Sequence, residues 1–242
     1  MRSRLPPGTR LFAQIRIARH GVGALLSQLE FARALHRAVR RAGLPIAYSG
    51  GFSPRPRMSF ASPLPVGVSS DGEPVAMELA RSMPSLELAR RLRRQLPEGL
   101  ELVELQVVAR SKKGLFEGID QAEYLVDVAP APAEGEVSAE PQHSLRKQAE
   151  AAIRTVLARP SLEIVRTTKK GERAVDIRPF VDSLELCECD ADRFRVRMQV
   201  GAAPEAMAKP AEVVAALAAE LGELEVLHIH RVALTGRRRR DT

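Results

Sequence analysis

A chain of 242 residues with 45% hydrophobic content can form one large domain, or two of roughly 100 to 120 residues, each with a real core. It has no Trp and only Tyr48 and Tyr124, which weighs against a platform of several base-stacking rings. Two cysteines two residues apart, no apolar run of transmembrane length and no hydrophobic segment at the start are the marks of a soluble cytoplasmic protein without a disulfide framework.

The net charge of +7 is unevenly spread. Residues 1–70 hold eleven Arg and a single acid, Glu30, and the remainder is net negative despite the run Arg237 to Arg240. Such asymmetry points to an anionic partner, nucleic acid before a membrane surface. Arginine-rich usage from a GC-rich genome would explain the preference for Arg over Lys, but not the missing acids.

The elements follow in order. "RLFAQIRIA", residues 10–18, roughly alternates apolar and polar residues and reads as a strand. "GVGALLSQLEFARALHRAVRRAG", 21–43, reads as a helix with Leu25, Leu29, Ala32, Leu35, Val39 and Ala42 as its buried stripe. Gly43 and Pro45 supply its stop. Arg33, Arg37, Arg40 and Arg41 fall on the opposite face as a basic ridge, with His36 on its flank. "EPVAMELA", 73–80, is a strand; "SLELARRLRRQL", 85–96, a helix with Ser85 as N-cap; "LELVELQVV", 100–108, a strand. This order is β-α-β-β-α-β, the ferredoxin-like pattern.

The second half repeats the plan. "EYLVDVA" is a strand, "APAPAEGEVSAEPQ" a flexible acidic loop, and "SLRKQAEAAIRTVLA" a helix. Four strand-like runs follow, "SLEIVRT", "AVDIRPFV", "SLELCEC" and "RFRVRMQV", then the helix "AEVVAALAAELG" and the strand "LEVLHIHRVAL". The fold class is therefore α+β: a tandem ferredoxin-like (βαββαβ) duplication with antiparallel sheets, its second half carrying an extra hairpin. The halves are expected at 1–115 and 122–236, with 237–242 a disordered basic tail and the boundary within 110–121.

Two stretches invite chemistry. In "AYSGGFSPRPRMSFASPLPVGVSSDGE", residues 47–73, Gly50 and Gly51 permit positive φ and close ligand approach, and Pro54 and Pro56 extend Ser53 and Arg55. Arg55 and Arg57, with Ser49, Ser53 and backbone amides, could hold phosphate, and Phe52 is the one aromatic placed to stack on a base. The plainer reading is a wide connection pinned by prolines. In "RTTKKGERAVDIRPF", Lys169, Lys170, Arg173 and Arg178 surround a turn at Gly171, with Asp176 on the departing strand. That suits RNA backbone contact or acid–base chemistry by Asp176 or His36; the alternative is a solvated hairpin with Asp176 salt-bridged.

Strand alternation would place Cys187 and Cys189 on one face, and His228 and His230 share the same spacing. Ordinary packing of half-buried side chains is favoured over a composite metal site, so neither metal nor cofactor is expected. No nucleophile elbow, phosphate loop, dinucleotide fingerprint, zincin motif or iron–sulfur cysteine cluster occurs.

At "YSGGFSPRPRMSFASPLPVGVSSDGE", at "KKGERAVDIRPFV" and through "RHGVGALLSQLEFARALHRAVRRAGLPIAYSGGF", the chain resembles a bacterial family of unknown function linked to radical SAM proteins. Its members stand alone or are fused behind a B12-binding radical SAM protein. The resemblance covers most of the chain and implies a radical SAM partner and a link to ribosomes or RNA processing. Arg55 stands where many members have His, a departure that removes a metal or acid–base role from the position. A basic ferredoxin-like duplication also resembles CRISPR repeat-processing endonucleases. "GERAVDIR" is similar to the catalytic stretch of one class of tRNA pseudouridine synthase, with Ala174 at the essential aspartate and Asp176 keeping a second acid. These readings converge on an RNA-binding accessory protein acting with rRNA or tRNA; the alternatives are an RNA-modifying or RNA-cleaving enzyme and a protein–protein adaptor.

Overall fold

Strand β1 (Arg10–Arg19) pairs antiparallel on both sides, with β3 (Ser69–Glu78) and with β4 (Leu100–Arg110). A central strand must satisfy both faces, which is why its apolar residues do not alternate cleanly with polar ones. Ala13, Ile15 and Ile17 point into a core with the first two helices, while Phe12 packs on the other face with Ala76 and Leu115. This is a computed structural model, and it describes residues 9–131, 142–168, 171–203 and 205–236.

The chain divides into two compact units, Met1–Ile119 and Asp120–Thr242. In the first, the element order is β1, α1 (Gln28–Arg41), β2 (Met58–Phe60), β3, α2 (Ser85–Arg93), β4. Its strands lie in the order β2-β3-β1-β4, every pairing antiparallel. Segment 111–119 folds back on this unit, with Leu115 buried and its carbonyl accepting from the Gln14 amide at 3.0 Å.

The second unit runs β5 (Gln121–Pro130), α3 (Gln142–Ala158), β6 (Glu163–Thr168), β7 (Gly171–Asp176), β8 (Val181–Cys189), β9 (Phe194–Ala203), β10 (Ala206–Met207), α4 (Pro210–Leu221) and β11 (Leu224–Thr235). Its sheet has β11 and β9 on either side of β5, with β8 and β10 both paired to β9, again antiparallel. Strands β6 and β7 form a separate two-stranded ribbon.

Helix α1 begins later than its periodicity suggests. A 3-10 turn covers Gly21–Gly23, and Ser27 starts the helix with a capping box. The Ser27 hydroxyl accepts from the Glu30 amide at 3.3 Å, and the Glu30 carboxylate accepts from the Ser27 amide at 2.9 Å. The buried stripe is Phe31, Ala34, Leu35, Ala38 and Val39. Of the expected stripe only Leu35 and Val39 are buried; Leu25 and Leu29 are 62% and 57% exposed. The stripe is centred by Phe31, whose ring lies edge-on to Phe60 and under the Arg19 guanidinium, 4.9 Å from the centroid.

The helix ends where Gly43 and Pro45 indicate. Gly43 adopts φ +60°, its amide donates to Arg40 O, and the Leu44 amide reaches back to Val39 O, the Schellman arrangement. The turn before α1 packs against the 97–100 turn so closely that a Cβ on Gly23 would lie 2.0 Å from Gly99 O. Gly99 itself sits at φ +79°, so both positions require glycine.

Three local expectations change. Ser85 lies inside α2 and Pro84 is the cap residue. Beyond Asp176 the chain turns through a 3-10 segment, Arg178–Phe180, because Pro179 cannot continue the ladder. In β8, Leu186 faces Val196 and Glu188 faces Arg195, which leaves Cys187 as a bulge residue. The bulge breaks the alternation: Cys187 turns to the Arg197 side, while Cys189 lies opposite buried Phe194 near Arg146 and Glu150 of α3. The two thiols therefore occupy opposite faces.

Candidate nucleic-acid interface

The stretch after α1 is an anchored loop with a protruding tip. The Ala47 amide donates to Glu78 O, the Arg57 amide to Ala47 O, and the Glu78 amide to Arg57 O, so its two legs are tied to β3. Farther out, the Ser49 amide donates to Arg55 O at 2.9 Å, and the Arg55 amide donates to the Ser49 hydroxyl at 3.0 Å. Pro56 is buried beneath them. Residues 50–54 form the tip, where Gly51 takes φ +96° and the Phe52 side chain is fully exposed, at 110% of its reference area.

The loop lies against α1. Burial depresses the pKa of the half-buried His36, and the positive charge of Arg55 depresses it further, so that charge lies within electrostatic range of the imidazole. His36 is thus held neutral at physiological pH. Arg33, Arg37 and Arg40 are exposed on the same side of the helix, one turn apart. Among the described residues, no carboxylate stands within ion-pairing distance of Arg33, Arg37, Arg40 or Arg55.

Several other basic residues of this unit are occupied. Arg10 and Arg57 share the Glu78 carboxylate, at 2.9 and 3.4 Å. Arg16 reaches Glu104 at 3.6 Å, and Arg41 donates to the Gln95 side chain and backbone. Arg19 is fully buried, donating to Gly23 O at 3.2 Å and to Leu26 O, and so pins the turn before α1. Nothing in the sequence marks these pairings, because Glu78 lies 68 residues from Arg10 and 21 from Arg57. The Ser49 hydroxyl closes the loop, while Ser53 stays exposed beside the tip.

In the second unit the expected residues have other tasks. Lys169, Lys170 and the tail Arg237 to Arg240 lie outside the described residues. Arg173 is exposed and directly opposite Arg166, hence on the same ribbon face. Arg166 is clamped by Glu212 of α4 at 2.8 Å and donates to Met207 O. Arg178 donates to Leu157 O and Val181 O, and Asp176 accepts the amides of Leu162 and Arg178 at 2.7 and 2.9 Å. Those backbone bonds lower the Asp176 pKa and keep it ionised, the role of a corner brace. The salt bridge expected of Asp176 is replaced by backbone amides, the Arg178 amide among them, and not by a guanidinium.

The open face of the second sheet is a lattice of paired charges. Arg195 bridges Asp127 and Glu188, and Arg197 reaches Glu123 at 2.7 Å. His228 stands 3.9 Å from Asp127, and no group of three or more His, Cys, Asp or Glu among the described residues could hold a metal.

Fold and surface together define a mixed α+β protein with antiparallel sheets, in which four exposed arginines on one helix and one loop make no ion pair among the described residues. It belongs to a family of uncharacterized proteins conserved in bacteria, DUF2344, whose model matches residues 13–210. No curated protein matches it. Among solved structures it is similar to a chain of a Cbf5–Nop10–Gar1 complex, with TM-score 0.50 and 11% identity over 92% of this chain and 48% of that one. A chain of an archaeal box H/ACA sRNP Nop10–Cbf5 complex gives TM-score 0.50 and 12% identity over 92% of this chain and 48% of that one. A chain of an H/ACA RNP bound to a substrate RNA containing 2′-deoxyuridine gives TM-score 0.50 and 11% identity over 92% and 47%. The chain spans about half the length of these structures, and at such identities the likeness concerns fold alone. No helix among the described residues is long and apolar enough to cross a membrane.

Proposed function

We propose that this protein is a cytoplasmic RNA-binding accessory factor that holds structured rRNA or tRNA for a modification or processing enzyme, with a radical SAM protein as its partner. The observation that carries this reading is the group Arg33, Arg37, Arg40 and Arg55, all exposed and none within ion-pairing distance of a carboxylate among the described residues, with the charge of Arg55 reaching His36 of the same helix. An unpaired guanidinium is already paid for in solvation and can exchange water and counterions for phosphate. Arg41 sits at the end of this ridge, and Arg57, which shares Glu78 with Arg10, is peripheral to it. A fold neighbour that comes from an H/ACA RNP bound to a substrate RNA is consistent with this partner class. In the same reading, the two units are copies of one ferredoxin-like βαββαβ plan, the β6–β7 ribbon being an insertion in the second.

The test is fluorescence anisotropy with rRNA and tRNA fragments at several salt concentrations. Binding should weaken steeply with salt, by about 0.7 to 0.9 log units per log unit of salt for each phosphate engaged. Salt-insensitive or absent binding would sink the proposal.

A second reading, a protein–protein adaptor, draws on a different observation. Val22, Leu25, Leu29 and Val66 are all more than half exposed around the start of α1, where the Gly67 amide donates to Ala24 O. Capture of a protein partner that survives nuclease, and is lost in Leu25→Ser/Leu29→Ser, would favour the adaptor.

A further inference from the structure

The ring of Phe52 projects wholly into solvent, yet its stalk is restrained. The reciprocal Ser49–Arg55 backbone and hydroxyl bonds close the base of the tip, Pro54 fixes one leg, and Pro56 is buried under it. Its neighbours Gly50, Gly51, Ser53 and Pro54 offer no side chain large enough to cover a phenyl ring. A surface ring held in this way presents both its faces with little conformational entropy left to lose on binding.

The surroundings decide what it meets. Arg55, three residues from the ring, is exposed and its charge reaches His36 of α1, and Glu78, whose backbone ties the loop's base, is already shared by Arg10 and Arg57. An exposed hydrophobic ring on the same loop as an exposed guanidinium without an ion pair matches a nucleotide: a flat base with a phosphate beside it. A paired duplex hides its base faces in the stack, so only an unpaired base can cover the ring.

Resting on the RNA-binding reading above, we infer that Phe52 stacks on an unpaired base, so that the RNA taken by this surface is a single-stranded loop or end and not a continuous duplex. Phe52 supplies the base platform, and Arg55, Arg33 and Arg40 take the flanking phosphates. The open sheet face of the second unit, with Arg195 and Arg197 clamped by acids, plays no part.

The chain has no Trp, so Phe52→Trp creates a single reporter. The full chain carrying Phe52→Trp is titrated with a short oligouridine and with a blunt RNA duplex of equal length. Quenching of the indole emission by the single strand and not by the duplex is expected. Phe52→Ala should weaken single-strand binding roughly five- to hundredfold while leaving duplex binding and the salt slope unchanged, and Phe52→Tyr should restore it. Salt-dependent oligouridine binding with unchanged emission, and with Phe52→Ala equal to the parent, overturns the stacking assignment and leaves the RNA-binding reading intact. Equal weakening of single strand and duplex overturns the preference for unpaired RNA. If neither RNA binds the parent protein, the RNA-binding reading itself falls. An emission change seen only with nuclease-treated cell extract overturns the assignment in favour of protein docking.

Discussion

Arginine is abundant in both units, but the two use it differently. In the second unit Arg159, Arg166, Arg195 and Arg197 each meet a carboxylate and Arg178 is consumed by backbone carbonyls, while Arg154 and Arg173 are exposed with no ion pair among the described residues. In the first unit, Arg10, Arg16 and Arg57 are paired and Arg19 is buried, while Arg33, Arg37, Arg40 and Arg55 make no ion pair among the described residues. A count of charges treats all of these alike. Phosphate binding does not, because a guanidinium already holding a carboxylate must break that pair first.

The strongest way to break the comparison is to remove the unpaired set. The combination Arg33→Ala, Arg37→Ala, Arg40→Ala and Arg55→Ala should lower RNA affinity at least a hundredfold and reduce the salt slope by about 3. Arg195→Ala with Arg197→Ala should leave both unchanged, as measured by anisotropy. Equal losses from the two sets would mean that pairing does not separate them.

Next comes the scaffold under the ridge. Gly23→Ala places a methyl group against the Gly99 carbonyl, where only backbone movement gives relief. Urea denaturation should show a loss of about 3 kcal/mol, with weaker RNA binding following from the displaced start of α1.

A paired arginine should act on stability alone. Arg166→Ala leaves Glu212 half-buried without its partner and should cost about 2 kcal/mol in urea denaturation, with RNA affinity unaltered. Burial raises the Glu212 pKa, but the Arg166 hydrogen bond, the Lys209 amide and the two cations outweigh it, so the pKa ends below its ordinary 4.5. A carboxyl depressed by folding stabilises the folded state above that ordinary value. The contribution disappears as pH falls through the folded-state pKa. Parent stability should therefore decline below pH 4.5, and Arg166→Ala should flatten that part of the profile.

The smallest effect belongs to the start of α1. Ser27→Ala removes one half of the capping box and should cost about 1 kcal/mol, read as a lowered Tm, with little change in RNA binding.

Much of the fold follows from local rules legible in the chain. β1, β4 and β11 coincide with their expected runs within a residue or two, and α1 stops at Gly43 because only glycine takes φ +60° there without strain. The capping signal Ser27-x-x-Glu30 was also present in "SQLE", and outranks the periodicity that extended the helix to Gly21. The short strand β2 escaped notice, since three residues carry no period of their own. The loop's exposed tip could be expected from Gly50, Gly51 and Pro54, whereas its closure by Ser49 could not.

By itself, then, the sequence determined the run of helices and strands, the one-sided arginine content and the Gly-Pro loop carrying Phe52. These depend on residues within a few positions of one another, where propensity, capping and backbone geometry act. Only the tertiary structure decided which arginines form ion pairs, that Arg19 is buried, that a bulge sends Cys187 and Cys189 to opposite faces, and that the charge of Arg55 reaches His36. Each of those depends on partners brought together from distant parts of the chain by strand register and helix packing. Charge and spacing along one sequence do not encode that register directly.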